Sequence, residues 1–310
     1  MNGPHLLTLS TTNRCNFRCL YCSTDAGTPL EHELTLAEKK RVIKEAQGMG
    51  IRSVVLCGSG EPMCDPDFNE LYDFIISSSL RPCIVTNGFY ITQETAEKFF
   101  RHNTYLIVKC NSLRRHTNNR LLGIQNAYKW ISYNKRCIPH PIAYLLSAGF
   151  NTGTSGRNGP VLEIETVITR DNLHDIPEIA RLCKETRTKL YIAVLLWLGR
   201  AARNKAVLEC TRMEYFWLYM QLIKIFGLKY AREEFFYRCS AEHNPTVGPT
   251  GNIQVCHLRP SDCGSIREEP LASLFRKTAH ERKAQKVRRH TYVLRFPHFG
   301  TCAGREYHKR

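Results

Sequence analysis

The sequence predicts an α/β protein, a partial (β/α)6 barrel of the TIM type with a small cysteine-rich module at its C-terminus. Three observations carry that expectation. Short β-branched or apolar runs alternate with helical stretches six times up to about residue 227. The turns after those runs hold the Gly, Asn and Ser residues of strand-to-helix loops. From about Tyr237 the rhythm stops, and the rest of the chain is short, basic and carries four cysteines. The expected division is therefore 1–227 for the barrel and 228–310 for the module.

The elements follow in order. His5–Ser10 (HLLTLS) is apolar enough for a first strand, and a cysteine-rich loop follows it. Thr35–Met49 reads as a helix, with Leu36, Val42, Ile43 and Ala46 at three- and four-residue spacings. Ser53–Leu56 is a short buried strand. Asp65 is expected to cap a helix that shows Phe68, Leu71, Tyr72 and Ile75 on one face. Cys83–Val85 is a third strand, ended by Asn87-Gly88. Gln93–Arg101 is helical, Tyr105–Val108 is a fourth strand, and Gln125–Tyr133 continues as a helix. Gly149–Pro160 has the composition of a loop. Val161–Ile168 and Leu190–Leu196 are the fifth and sixth strands, with a helix at Ile176–Cys183 between them. Glu214–Ile225 is an apolar helix rich in aromatics. Such βα repetition implies parallel strands with right-handed crossovers, and six units are fewer than a closed barrel needs.

Composition narrows the function. The chain has 310 residues, 43% hydrophobic and 23% charged, as in an ordinary globular protein. It holds no apolar run long enough to span a bilayer and no N-terminal signal sequence, so residence in the cytoplasm without a membrane is expected. In that compartment disulfides are reduced, so the 14 cysteines point to metal ligation and to core packing. The net charge is +16, and Leu271–Arg310 alone has 11 Lys and Arg against Glu281 and Glu306. A tail of that kind attracts RNA or another polyanion, or else only aids solubility.

The chemistry concentrates after the first strand. Cys15, Cys19 and Cys22 place three thiols within eight residues, in a loop at the end of a barrel where active sites form. Three ligands to a four-iron cube leave one iron open, whereas zinc prefers four ligands. The second strand ends in Cys57-Gly58-Ser59-Gly60-Glu61-Pro62. Its glycines permit φ > 0 and a close backbone approach to a ligand, and Glu61 adds an acceptor.

The C-x3-C-x2-C spacing, with Tyr21 before the third cysteine, resembles the radical S-adenosylmethionine (SAM) superfamily. That resemblance implies a [4Fe–4S] cluster on Cys15, Cys19 and Cys22 whose open iron binds the amino and carboxylate groups of SAM. An electron from the cluster cleaves the SAM C–S bond, and the 5′-deoxyadenosyl radical takes hydrogen from a substrate. Gly58-Ser59-Gly60-Glu61-Pro62 is similar to the family's GGEP motif, with Ser59 in place of one Gly. By that likeness Gly58, Gly60 and Glu61 bind SAM, Glu61 through its amino group. Thr86-Asn87-Gly88 is similar to the family's TNG. Asn111 and Ser112, after the fourth strand, stand where members contact the SAM ribose; both are also common turn residues. Gly199-Arg200-Ala201 resembles a GRA turn, in which Arg200 meets a carboxylate or caps the structure.

The C-terminal segment resembles the SPASM/twitch extension of the same superfamily, through Pro249–Cys256 and Cys263-Gly-Ser-Ile-Arg-Glu-Glu-Pro-Leu271. Cys239, Cys256, Cys263 and Cys302 would hold one auxiliary [4Fe–4S] cluster, and the alternative is a zinc-stapled lobe. The implied partners are an electron donor such as flavodoxin or ferredoxin and a peptide or small-molecule substrate. No side chain is assigned to the substrate's own chemistry. Two rival readings are a radical SAM enzyme acting on RNA and a non-catalytic iron–sulfur or zinc protein that binds nucleic acid. Glu61 and its Gly-rich turn argue against the second, because a structural metal needs no SAM pocket.

Overall fold

The computed structural model describes residues 4–151, 159–228, 244–254 and 263–279. In chain order the first elements are β1 (Leu6–Leu9), α1 (Leu36–Gly48), β2 (Ser53–Leu56), α2 (Phe68–Ser77), β3 (Arg81–Thr86), α3 (Gln93–Arg101), β4 (Tyr105–Lys109) and α4 (Arg115–Leu122). Then come β5 (Trp130–Tyr133), β6 (Arg136–Pro139), α5 (His140–Ser147), β7 (Val161–Val167), α6 (Ile176–Glu185) and β8 (Lys189–Ala193). The last are α7 (Gly199–Arg203), α8 (Lys205–Leu208), α9 (Arg212–Phe226), β9 (Thr246–Val247), β10 (Ile253–Gln254) and α10 (Leu271–Lys277). The expected α/β class with parallel strands holds. The described residues fall into two compact units.

The first unit takes the described parts of Met1–Asn16, Thr24–Thr86 and Arg238–Thr291. Its strands lie in the order β10-β9-β1-β2-β3. β1 pairs parallel with β2 and β2 with β3, while β9 joins the free side of β1 in parallel and β10 turns back against it. Strand alternation sends Leu7, Leu9, Val54 and Leu56 into the core, each fully buried. Thr35 and Glu38 form a capping box that starts α1, whose Val42, Ile43 and Ala46 are buried. On α2 the expected face, Phe68, Leu71, Tyr72 and Ile75, is buried. Its cap position is Asp67 rather than the expected Asp65. Asp65 is engaged instead by the buried Lys39 ammonium at 2.6 Å.

The described residues of the C-terminal segment fall within the first unit. Asn244 accepts through Oδ1 from the backbone N–H groups of His5 and Leu6, and the Leu34 N–H donates to the Pro249 carbonyl. Arg267 grips Glu38 at 2.6 Å and 3.1 Å and donates to the His32 carbonyl.

The second unit takes Phe17–Ser23 and the described part of Asn87–Tyr237. Its parallel strands run in the order β4-β7-β8, with Leu106, Val108, Leu162, Ile164 and Leu190 buried on one face. The expected helix at Gln125–Tyr133 is not there. α4 ends earlier, at Gly123 in the left-handed region (φ 65°). Trp130–Tyr133 is instead a strand of the β5–β6 hairpin, turned at Asn134 and Lys135 with φ of 45° and 64°. Trp, Ile and Tyr before an Asn-led turn favour a hairpin over a helix. Among the described residues, no helix is long and apolar enough to cross a membrane.

Candidate active site

The first unit supplies the start of the cysteine loop and the GSGE turn. After β1 the chain is pinned by Glu33, which accepts from Thr12 Oγ1 at 2.8 Å and from the Asn13 N–H at 2.6 Å. The Cys15 N–H donates to the Gly27 carbonyl at 3.1 Å. The GSGE turn is fastened to the same stretch. Gly60 N–H donates to the Thr12 carbonyl at 2.9 Å and Glu61 N–H to the Arg14 carbonyl at 2.8 Å. Ser59 N–H donates to Ser10 Oγ at 2.8 Å, and Thr24 Oγ1 donates to the Ser59 carbonyl at 2.6 Å.

A Cβ on Gly60 would stand 2.2 Å from the Arg14 carbonyl oxygen, and one on Gly58 (φ +132°) 2.6 Å from Ser10 Oγ. The glycines thus permit a close approach of the turn to the protein's own β1 end and cysteine loop. Glu61 is 3% exposed. Its Oε1 accepts from Thr86 Oγ1 at 2.7 Å and from the Met63 N–H at 3.1 Å. The first residue of the Thr86-Asn87-Gly88 motif thus orients the carboxylate of the motif before it.

The second unit supplies Cys19, Tyr21 and Cys22. The backbone here is held from two sides. Arg18 and Leu20 N–H groups donate to the carbonyls of Leu122 and Leu121 at the end of α4. From α7 and its C-terminal end, Arg200 Nε donates to the Cys19 carbonyl at 3.1 Å, Ala201 N–H to the Cys22 carbonyl at 3.1 Å, and Asn204 Nδ2 to the Leu20 carbonyl at 3.2 Å. Leu20 and Tyr21 pack on the apolar cluster of Leu121, Val167, Leu195, Ala201 and Leu208. Arg200 therefore meets a backbone carbonyl of the cysteine loop.

Asn111 is 1% exposed. Its Nδ2 donates to the Tyr21 hydroxyl at 2.6 Å, and its Oδ1 accepts from the Val167 N–H at 2.8 Å. Ser112 is fully buried; its hydroxyl bonds to Asp175 and accepts from the Arg114 N–H. These bonds of Asn111 and Ser112 run to protein groups, so both hold loops in place. Asn172 accepts from Thr169 and donates to the carbonyls of Asn111 and Val167.

On the strand face opposite the buried leucines, Lys109 pairs with Glu165 at 2.6 Å and the Tyr105 hydroxyl donates to Glu163 at 2.6 Å. Burial pushes the Glu163 carboxyl up, against the Tyr105 bond. Sequence reasoning missed these groups. Their signal was the charged residue at every second place of otherwise apolar runs.

Cys110 is buried and its thiol is pushed up to about 12 by burial, which marks it as a packing residue. Cys263 is half-buried, while Cys239, Cys256 and Cys302 lie outside the described residues. Among the described residues, no three His, Cys, Asp or Glu side chains already stand in a metal-holding group. The donor chemistry nevertheless fits an iron–sulfur cluster: Cys15, Cys19 and Cys22 are three cysteine side chains, each half-buried.

Residues 9–183 match the family model of the radical SAM superfamily. The chain belongs to the radical SAM superfamily. Its membership makes it an enzyme, and the family implies a [4Fe–4S] cluster and SAM as cofactors. The AdoMet-dependent heme synthase of Nitratidesulfovibrio vulgaris is 25% identical over 338 residues, covering 98% of this chain and 85% of the relative. The mycofactocin maturase MftC of Mycobacterium tuberculosis is 26% identical over 268 residues, covering 86% of this chain and 61% of the relative. Among solved structures, anSMEcpe with bound AdoMet and Cp18Cys peptide is similar with a TM-score of 0.65 at 14% identity, over 90% of this chain and 82% of that one. This last likeness shows the fold, the partial barrel of radical SAM enzymes.

Proposed function

We propose that this enzyme reductively cleaves SAM and abstracts a hydrogen atom from a peptide or small metabolite. The observation that carries the reading is the GSGE turn, hydrogen-bonded to the carbonyls of Thr12 and Arg14 directly before Cys15 with Glu61 oriented by Thr86. A cluster on Cys15, Cys19 and Cys22, with SAM bound, supplies one-electron cleavage of a C–S bond and a hydrogen-abstracting radical. The chain's own residues prepare that chemistry. Glu61 accepts from the SAM ammonium, its carboxylate held in orientation by the Thr86 hydroxyl and the Met63 N–H. Gly58 and Gly60 shape the turn that carries Glu61. Asn111, Ser112 and Arg200 hold loops of the second unit and stand as the candidates for further SAM contacts.

Cys239, Cys256, Cys263 and Cys302 are proposed to bind one auxiliary [4Fe–4S] cluster in a twitch-like extension. A flavodoxin- or ferredoxin-type donor would supply the electron. A peptide substrate is supported by the likeness to anSMEcpe, solved with a peptide, and a small metabolite by the heme synthase. The test is electron paramagnetic resonance of anaerobically reconstituted, reduced protein. SAM should change the spectrum of one [4Fe–4S] cluster; a spectrum that SAM leaves unchanged contradicts SAM binding at an open iron.

A further inference from the structure

The buried face of α1 reads Lys39, Val42, Ile43 and Ala46, so a lysine stands where the helical spacing asks for an apolar residue. Its side chain is 4% exposed, and its ammonium donates at 2.6 Å to Oδ2 of Asp65, whose side chain is 1% exposed. The Asp67 carboxylate stands 3.5 Å from the same ammonium. The other polar groups of Asp65 are engaged as well. Its Oδ1 accepts from the Asp67 N–H at 3.0 Å, its own N–H donates to the Pro62 carbonyl at 3.1 Å, and its carbonyl accepts from the Phe68 N–H at 3.0 Å. Asp65 closes the short 3-10 helix Pro62–Cys64, and Glu61 opens it. At the opening end the Glu61 carbonyl accepts from the Cys64 N–H at 2.9 Å, and its Oε1 from the Met63 N–H at 3.1 Å. One short turn thus has the carboxylate proposed for SAM at its head and a buried ion pair at its tail.

We propose that the Lys39–Asp65 ion pair positions Glu61: by fixing the tail of the Pro62–Cys64 turn to α1, it fixes the direction in which the Glu61 carboxylate meets SAM. Lys39 and Asp65 are positioning residues that act through Glu61. The proposal rests on the reading that Glu61 accepts from the SAM ammonium. Stability alone does not account for the pair. Two charges buried this deeply lose their hydration, and an uncharged pair of similar volume often holds a fold as well. What the ion pair adds is a single permitted geometry. An ammonium and a carboxylate pulled apart in this interior would both be uncompensated, so the turn cannot slide along α1. Glu61 depends on that restraint. Its Oε1 is aimed by Thr86 Oγ1 and by the Met63 N–H, and Met63 moves with the turn whose tail Lys39 holds.

The experiment measures SAM affinity, thermal midpoint and amide hydrogen exchange of the anaerobically reconstituted full-length chain in wild type, Lys39→Met and Lys39→Met/Asp65→Asn. Lys39→Met leaves Asp65 a buried carboxylate without its ammonium and should lower the thermal midpoint. The double variant removes both charges and should recover most of that loss. SAM binding should nevertheless stay weaker in the double variant, by as much as roughly ten-fold, the loss expected when the Glu61 contact is removed outright. Exchange should quicken in peptides that cover residues 61–65 in both variants. A double variant as unstable as Lys39→Met, a SAM affinity equal to wild type, or exchange that quickens throughout the first unit or not at all in the turn overturns the proposal. Adding the double change to Glu61→Ala tests the route. The loss of affinity should not grow, because the changes act on one contact, and an additive loss overturns the proposal. A failure of the underlying reading looks different: Glu61→Ala alone would then bind SAM as wild type does.

Discussion

Glu61 is a buried carboxylate whose donors are a threonine hydroxyl and a backbone N–H in a turn fastened to the cysteine loop. On the proposed role its loss would remove a charge-assisted bond to SAM of about 1.5–3 kcal/mol, so Glu61→Ala should weaken SAM binding roughly ten-fold or more while iron stays bound. Equilibrium binding of SAM to the reconstituted variant checks this, and unchanged affinity removes Glu61 from the SAM site. Gly60 gives a harsher outcome. A methyl group there lands 2.2 Å from the Arg14 carbonyl, so Gly60→Ala must push the cysteine loop aside, at a cost of about 1–3 kcal/mol. Iron content after reconstitution should fall, and full iron loading would show that the turn can yield. At this scale the cysteines and Glu61 were legible because their spacing is rare. The loop-tying bonds of Asn111, Asn172 and Glu33 were not legible, because a polar residue that ties loops together has the composition of any turn.

Elements were legible where the hydrophobic period was strong. The buried face of α2 followed from four apolar residues, and α1 from apolar residues at three- and four-residue spacings. The stretch at 125–133 failed because its period is short and its turn, at Asn134 and Lys135, needs positive φ from residues other than glycine. The place of the C-terminal segment also escaped sequence reading, since its attachment depends on pairs far apart in the chain. Arg267 to Glu38 is one of them, and it predicts a pH dependence. Glu38 is held down to about 2, from an ordinary 4.5, chiefly by the Arg267 hydrogen bond. A lowered folded-state pKa stabilises above the ordinary value, and that contribution is lost as the pH falls toward 2. Arg267→Met should therefore lower the thermal midpoint near neutral pH, with the gap from wild type closing between pH of about 4.5 and about 2. A gap that stays constant across that range contradicts the pairing. The effect should be modest, because both side chains keep some solvent contact.

For the whole molecule, the α/β class and its parallel strands could be read from six alternations of pattern. The two-unit division could not, because neither unit is continuous in sequence. Much of the +16 charge falls on the tail that runs to Arg310, outside the described residues. The proposed auxiliary cluster belongs to this scale as well. Replacing Cys15, Cys19 and Cys22 together by Ala should remove about four iron atoms per chain and leave the auxiliary set. Zinc without iron in that variant would favour a stapled lobe instead. On the proposed function, the first cluster supplies the electron that cleaves SAM. Its most direct test is mass spectrometry of 5′-deoxyadenosine from anaerobically reconstituted, dithionite-reduced enzyme given SAM, beside the same triple variant. Wild type should produce 5′-deoxyadenosine and the variant none; equal production by both, or none by fully iron-loaded wild type, would contradict it.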